Sequence, residues 1–195
     1  MVRVLAVNNY PTRERFERLE NCLRGNGATV TPVGWNDVSP QLFASHDGVA
    51  LSGSPDMMSE PKVQRKYEGE IGAILDARVP VLGVCFGHQM IAFAFGSEVG
   101  EDGRHVLEMV RTEVIRDDPI FEGLPRSMML LESRHEVVKS LPKGFTLLAR
   151  SSTSLIAAMR HRDRPLYGVQ FHPERYTIEN PDGNSVAANF IRLLK

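Results

Sequence analysis

Cysteine is scarce: only Cys22 and Cys85 occur in 195 residues, and their contexts are unrelated. A small secreted fold stapled by disulfides is therefore excluded, and both thiols are expected to stay reduced. Long apolar runs are missing too. The opening stretch Met1-Val-Arg-Val-Leu-Ala-Val-Asn passes directly into polar residues, too short for a signal-peptide core or a bilayer span, so no membrane role and a cytoplasmic location are expected. Neither sign of charge dominates. With 23 Lys and Arg against 24 Asp and Glu, the chain lacks the basic surplus that a dedicated nucleic-acid or anionic-membrane binder needs, which leaves a small molecule or another protein as partner. No GxGxxG or GxxxxGK[ST] segment is present, so the chain itself offers neither a dinucleotide nor an ATP site. Histidine and cysteine nowhere take a metal-ligand spacing, and no metal is expected. Repeats and low-complexity linkers are absent as well, and residues 1–195 read as a single domain.

What is present suffices for one good core, with 42% apolar residues. Residues 2–8 form a mostly apolar run that suits a strand buried on both faces, and Pro11 to Asn26 reads as a helix with Phe16, Leu19 and Leu23 on one stripe. Strands follow at Thr29–Val33 and Asp47–Ser52. A helix over Lys62–Ala77, with Ile71, Ile74 and Leu75 inward, leads to a strand at Val79–Val84. After Gly96 the pattern becomes strand-rich: Val106–Ile115, Ser127–Leu131, Glu136–Val138, Phe145–Ala149, Leu155–Arg160 and Pro165–Phe171. A last helix spans about Asn184 to Leu194. The fold class is α/β, a mostly parallel central sheet with helices on both faces plus a smaller strand-rich second half.

Reactive chemistry in such sheets gathers at the carboxyl ends of the parallel strands. Three loaded segments end strands: Gly53-Ser54-Pro55, Gly83-Val-Cys85-Phe-Gly87, and His172-Pro-Glu174. Glycines two residues either side of Cys85 permit a sharp strand-to-helix turn that stands the thiol exposed above the sheet, with the N–H groups of the helix's first turn aimed at the sulfur. A nucleophilic cysteine needs a base, and the base needs an acceptor on its other nitrogen. His172 and Glu174, two apart on an extended chain, point to one side and meet that need. Oxyanion donors are expected from two sources, the backbone of Phe86 and the Gly53-Ser54-Pro55 turn. The reaction class is acyl transfer from an amide. His88, in the first helical turn, is a rival base pointing in a different direction, and Cys22 is expected to be core packing.

Gly83-Val-Cys-Phe-Gly-His-Gln89, Leu51-Ser-Gly-Ser-Pro55 and Tyr167-Gly-Val-Gln-Phe-His-Pro-Glu174 resemble the three signature blocks of class I (triad) glutamine amidotransferase domains. Within that family, Leu124-Pro-Arg, Leu141-Pro-Lys-Gly-Phe, Ala157-Ala-Met-Arg-His and the Pro165–Glu174 block are most similar to the glutaminase subunits of GMP synthases. The resemblance implies attack of Cys85 on the side-chain amide of L-glutamine, proton transfer by His172 oriented by Glu174, loss of ammonia, and hydrolysis of a γ-glutamyl thioester. It implies that Gln89 contacts the amino-acid end of glutamine, with Gly53, Ser133, Arg134 and His135 around the pocket. It also implies a separate synthetase subunit of ATP-pyrophosphatase type, with ATP and Mg confined to that subunit and no cofactor on this chain. Three alternatives stay open: a stand-alone γ-glutamyl hydrolase or peptidase, the glutaminase subunit of another amidotransferase, and a silent binding module. Three departures stand out: Gly53-Ser54-Pro55 where the family usually has Gly-Gly-Pro, Ser133-Arg134-His135-Glu136 where GMP synthases usually have Ser-His-Gly-Asp, and Phe86 after the nucleophile.

Overall fold

A computed structural model describes residues 1–195. The first half alternates strand and helix: β1 (Val2–Asn8), α1 (Arg13–Gly25), β2 (Ala28–Gly34), α2 (Pro40–Ala44), β3 (Gly48–Leu51), α3 (Pro61–Lys66), α4 (Glu68–Asp76), β4 (Val81–Val84) and α5 (Phe86–Ala94). The second half is strand-rich, with β5 (Val99–Val114), β6 (Ser127–Val138), β7 (Phe145–Ser151), β8 (Ala158–His161) and β9 (Leu166–Val169), and α6 (Asp182–Leu193) closes the fold. All nine strands join one sheet in the order β2-β1-β3-β4-β9-β8-β7-β5-β6. Pairing is parallel from β2 through β9 and antiparallel from β9 through β6.

The apolar run at residues 2–8 has the reason anticipated from the sequence. Val4 and Ala6 face a core shared with Phe16, Leu19 and Leu23 of α1 and Val186, Phe190 and Ile191 of α6. Leu5 and Val7 face the opposite core, with Ile74 of α4 and Phe86, Met90 and Ile91 of α5. Period-2 alternation thus sends successive residues into two different cores, and no polar face is left to read.

Several elements depart from the sequence reading. The helix expected over Lys62–Ala77 is two helices, broken at Tyr67, which takes φ −100° and ψ 14°. The Tyr67 ring is fully buried between Trp35 and Phe86. After this break Leu75 points outward, 42% exposed, instead of inward. The stretches Ser127–Leu131 and Glu136–Val138 are one continuous strand. Its polar middle has the composition of a loop, but Glu132 and Arg134 are buried as an ion pair, Nε to Oε2 3.1 Å, which satisfies groups that would otherwise exclude a strand from the interior. Leu155 precedes β8 rather than belonging to it. The short helix α2 is an addition to the sequence reading: Ser39 caps it by accepting from the Leu42 N–H at 3.2 Å, and Pro40 opens it.

Candidate active site

β4 turns into α5 at Cys85, whose φ of 51° and ψ of −99° make it the sole non-glycine residue with positive φ. Such a conformation costs roughly 1–3 kcal/mol and persists where its surroundings over-determine it. The flanking glycines serve close approach instead: a Cβ on Gly83 would lie 2.5 Å from the Gly87 backbone, and one on Gly87 would lie 2.8 Å from Leu51. Helix α5 can therefore start directly on the sheet only because both positions lack a side chain. The elbow is fixed by the Cys85 N–H donating to the Val169 carbonyl at 2.8 Å. Contrary to the exposed thiol expected from the elbow, Cys85 is only 4% exposed, because β6 and the segment after β9 lie over it.

After β9 the chain does not continue extended, as the spacing of His172 and Glu174 suggested; Pro173–Arg175 is a 3-10 turn. The contact forms all the same, with His172 Nδ1 2.7 Å from Glu174 Oε1 and both side chains buried. The carboxylate can only accept, so Nδ1 carries the proton and Nε2 faces the thiol side. Burial opposes charge on His172, but the Glu174 carboxylate and Cys85 outweigh it and raise its pKa well above the ordinary value. The ring thus keeps a proton at Nε2 as well, available to donate toward the sulfur.

β6 supplies the far wall through its backbone. The Leu131 carbonyl accepts from the His172 N–H at 2.8 Å, and the Ser133 carbonyl stands 3.4 Å from both Cys85 Sγ and His172 Nε2. Opposite it lies the Gly53-Ser54-Pro55 turn at the end of β3. A Cβ on Gly53 would come within 3.0 Å of His172 Cε1 and would also strike the Tyr10 hydroxyl, so only glycine fits. The Phe86 N–H opens α5, where no intrahelical acceptor exists, and neither it nor the Ser54 N–H donates a hydrogen bond within the chain. Two N–H groups are thus left free, one on the residue after Cys85 and one on a residue lining the same cavity.

A cavity of about 460 Å³ opens above Cys85 and is lined by Tyr10, Ser54, Gln89, Ser133, His135 and His172 among others. Gln89 is 4% exposed, its amide donating to the Glu136 carbonyl at 2.7 Å and to Gln170 Oε1 at 3.3 Å. Arg134 also borders the cavity, but its guanidinium is committed to Glu132, Asp102 and the Thr153 carbonyl. His135 lies exposed at the rim, its ring against His105. His88 is fully buried, does not line the cavity, and packs against Gly168; burial pushes its pKa down to about 4, partly offset by the backbone of Gly168 and Ile156. Cys22 is buried on α1, where burial pushes its thiol up to about 12. No group of three or more metal-ligating side chains is assembled.

The family model described as glutamine amidotransferase class-I matches residues 12–193. The chain belongs to this family. Among curated members, the glutamine-hydrolyzing GMP synthase subunit of Pyrococcus abyssi is 40% identical over 146 residues, 75% of this chain and 74% of its own. That of Methanopyrus kandleri is 38% identical over 193 residues, 97% of each. A crystal structure from Thermoplasma acidophilum, provisionally assigned as the corresponding GMP synthase subunit, superposes with a TM-score of 0.88 at 29% identity, covering all of this chain and 94% of that one. An amidotransferase site assembled from three strand ends is legible from its motifs. Three of its components are not: Tyr10, the Ser133 carbonyl, and Gln170, whose amide reaches Cys85 Sγ at 3.7 Å. Gln170 stands inside the motif block containing His172; the resemblance places Ser133 at the pocket but not its carbonyl against the thiol, and the loop residue Tyr10 carries no signal.

Proposed function

We propose that the chain hydrolyses L-glutamine to L-glutamate and ammonia for a separate synthetase subunit, that of GMP synthase. The observation that carries the reading is the Cys85–His172–Glu174 array at a strained elbow, in a chain whose full-length relatives are named as glutamine-hydrolyzing GMP synthase subunits. With the proton already held on His172 Nε2, Cys85 Sγ attacks the amide carbon, and the negative oxygen develops beside the Ser54 and Phe86 N–H groups. The tetrahedral adduct collapses as His172 returns the proton to nitrogen. The carbon–nitrogen bond breaks, ammonia leaves, and a γ-glutamyl thioester remains. Water then adds with His172 as base, and glutamate departs as the thiol is restored.

Gln89, Ser133 and His135 border the space glutamine would fill, Gly53 does not line it but packs behind it against Tyr10 and His172, and Arg134 contributes through the strand it braces. ATP and Mg belong to a synthetase of ATP-pyrophosphatase type, since this chain carries neither nucleotide motif. A cytoplasmic location accompanies that role; no helix is long and apolar enough to cross a membrane, and both cysteines stand unpaired. The test is ammonia release from glutamine by the chain on its own and with the synthetase component of a GMP synthase, ATP and XMP. Release that accelerates with that component is expected. Rapid turnover of γ-glutamyl peptides with no response to it would instead make the chain a stand-alone hydrolase.

A further inference from the structure

Beneath the Gly53-Ser54-Pro55 turn lies a carboxyl that the proposed chemistry does not use. Glu70 of α4 is fully buried, with Oε1 accepting from Asn9 Nδ2 at 3.1 Å. No cation reaches it. Two buried oxygens there lack a donor, Glu70 Oε2 and Asn9 Oδ1. These are the atoms that one proton on the carboxyl would join, closing an acid–amide pair of two antiparallel hydrogen bonds. Asn9 carries the connection onward. Its N–H donates to Ser52 Oγ at 2.9 Å, the Ser52 hydroxyl donates to the Gly53 carbonyl at 2.9 Å, and its Nδ2 also approaches the Ser52 carbonyl at 3.4 Å. The next residue is Tyr10, whose hydroxyl sits over Gly53.

We propose that Glu70 is a positioning residue, acting as a neutral carboxylic acid paired with the Asn9 carboxamide to hold the oxyanion turn against His172. The proposal rests on the acyl-transfer reading of the site. Its electrostatic surroundings agree. The Tyr67 phenol lies nearby, and Asp56 in front of it is already taken by Lys66 at 2.6 Å. The other elements packed on α4 bring no partner charge to Glu70: Lys62 and Arg65 of α3 are exposed, α2 has no titratable side chain, Asp37 is exposed, and His88 of α5 faces Gly168. Burial, opposed only by the Asn9 hydrogen bond, pushes the Glu70 pKa up to about 8. Native Glu70 therefore holds a proton that the unfolded chain releases, and stability falls as pH rises from the ordinary Glu range to about 8, then levels.

Glu70→Gln keeps both hydrogen bonds, with the amide supplying the donor. Glu70→Leu keeps volume and removes both. The readouts are kcat and KM for glutamine, acylation of Cys85 by p-nitrophenyl acetate, and thermal melting from pH 5 to 9. Expected are loss of about 10-fold in kcat and in acylation for Glu70→Leu with KM little changed, and values within about 2-fold of wild type for Glu70→Gln at pH 7. The Gln variant should also gain melting temperature over wild type as pH rises to 8 and lack the wild-type decline of kcat above it. Ser52→Ala, which cuts the same connection with little volume change, should repeat the Leu result if Glu70→Leu fails to fold. A folded Leu or Ser52→Ala variant acylated at the wild-type rate overturns the proposal, as does Glu70→Gln behaving like Leu. Wild-type protein that is acylated but inert toward glutamine would overturn the glutaminase reading alone, because the acylation comparison still decides the role of Glu70.

Discussion

Strands β3, β4 and β9 of the parallel half are four residues each and buried throughout, whereas β5 and β6 of the antiparallel half run 16 and 12 residues and are each partly exposed. The two halves contribute to the site in different ways. Parallel strands end together at one edge, so Gly53, Cys85 and His172 arrive there as side chains and turns, each fixed by a strand covered on both faces. The antiparallel half lies across that edge and offers the flank of β6, so its contribution is the Leu131 and Ser133 carbonyls. Chemistry placed at strand ends depends on residue identity. A wall made of backbone depends on where the strand is held.

The sharpest test of that division is Cys85→Ala, which should remove glutamine hydrolysis by about 10³-fold or more while the melting temperature stays close to wild type. Steady-state ammonia release and a thermal melt together check it; retained turnover would sink the nucleophile assignment. Next in size is His172→Ala, with a loss of about 10²-fold or more in kcat, against a milder loss for Glu174→Gln, which misorients the base without deleting it. His88→Asn should leave the chemistry nearer wild type than either, and a larger effect there would move the base to His88.

Gly53→Ala should follow, with kcat down by roughly 10-fold to 10²-fold, since the new methyl forces Tyr10 and His172 apart. Stopped-flow measurement of thioester formation would separate this from a defect in binding. The smallest effect belongs to the antiparallel half. Glu132→Leu combined with Arg134→Met replaces a buried ion pair by apolar volume, and stability should fall by about 1–3 kcal/mol because the Ser151 and Thr153 hydroxyls and Asp102 lose their partners. Turnover should drop only a few-fold as the Ser133 carbonyl loosens. A loss as great as that of His172→Ala would mean that the wall, not the strand ends, carries the chemistry.

The legible part of this molecule follows the same division. Cys85, His172 and Glu174 are readable because each reaction role demands a particular side chain, and flanking glycines record a close approach that any substituent would block. The strand at residues 127–138 reads as two in the sequence, because Glu132 and Arg134 look like loop residues until their mutual pairing is known. The break at Tyr67 is invisible for a related reason: helical periodicity runs through it, and only packing between Trp35 and Phe86 places the ring.

Sequence alone determined the alternating first half, the three motif-bearing strand ends and the cysteine at the elbow, because apolar periodicity and residue chemistry are local properties. Tertiary structure decided that Cys85 itself takes the positive φ, that the thiol is covered, that Ser133 touches it by a carbonyl, and that Glu70 lies under the Gly53-Ser54-Pro55 turn. These rest on contacts between residues far apart in the chain. Backbone atoms and buried carboxyls acquire their roles from the neighbours that the fold brings to them.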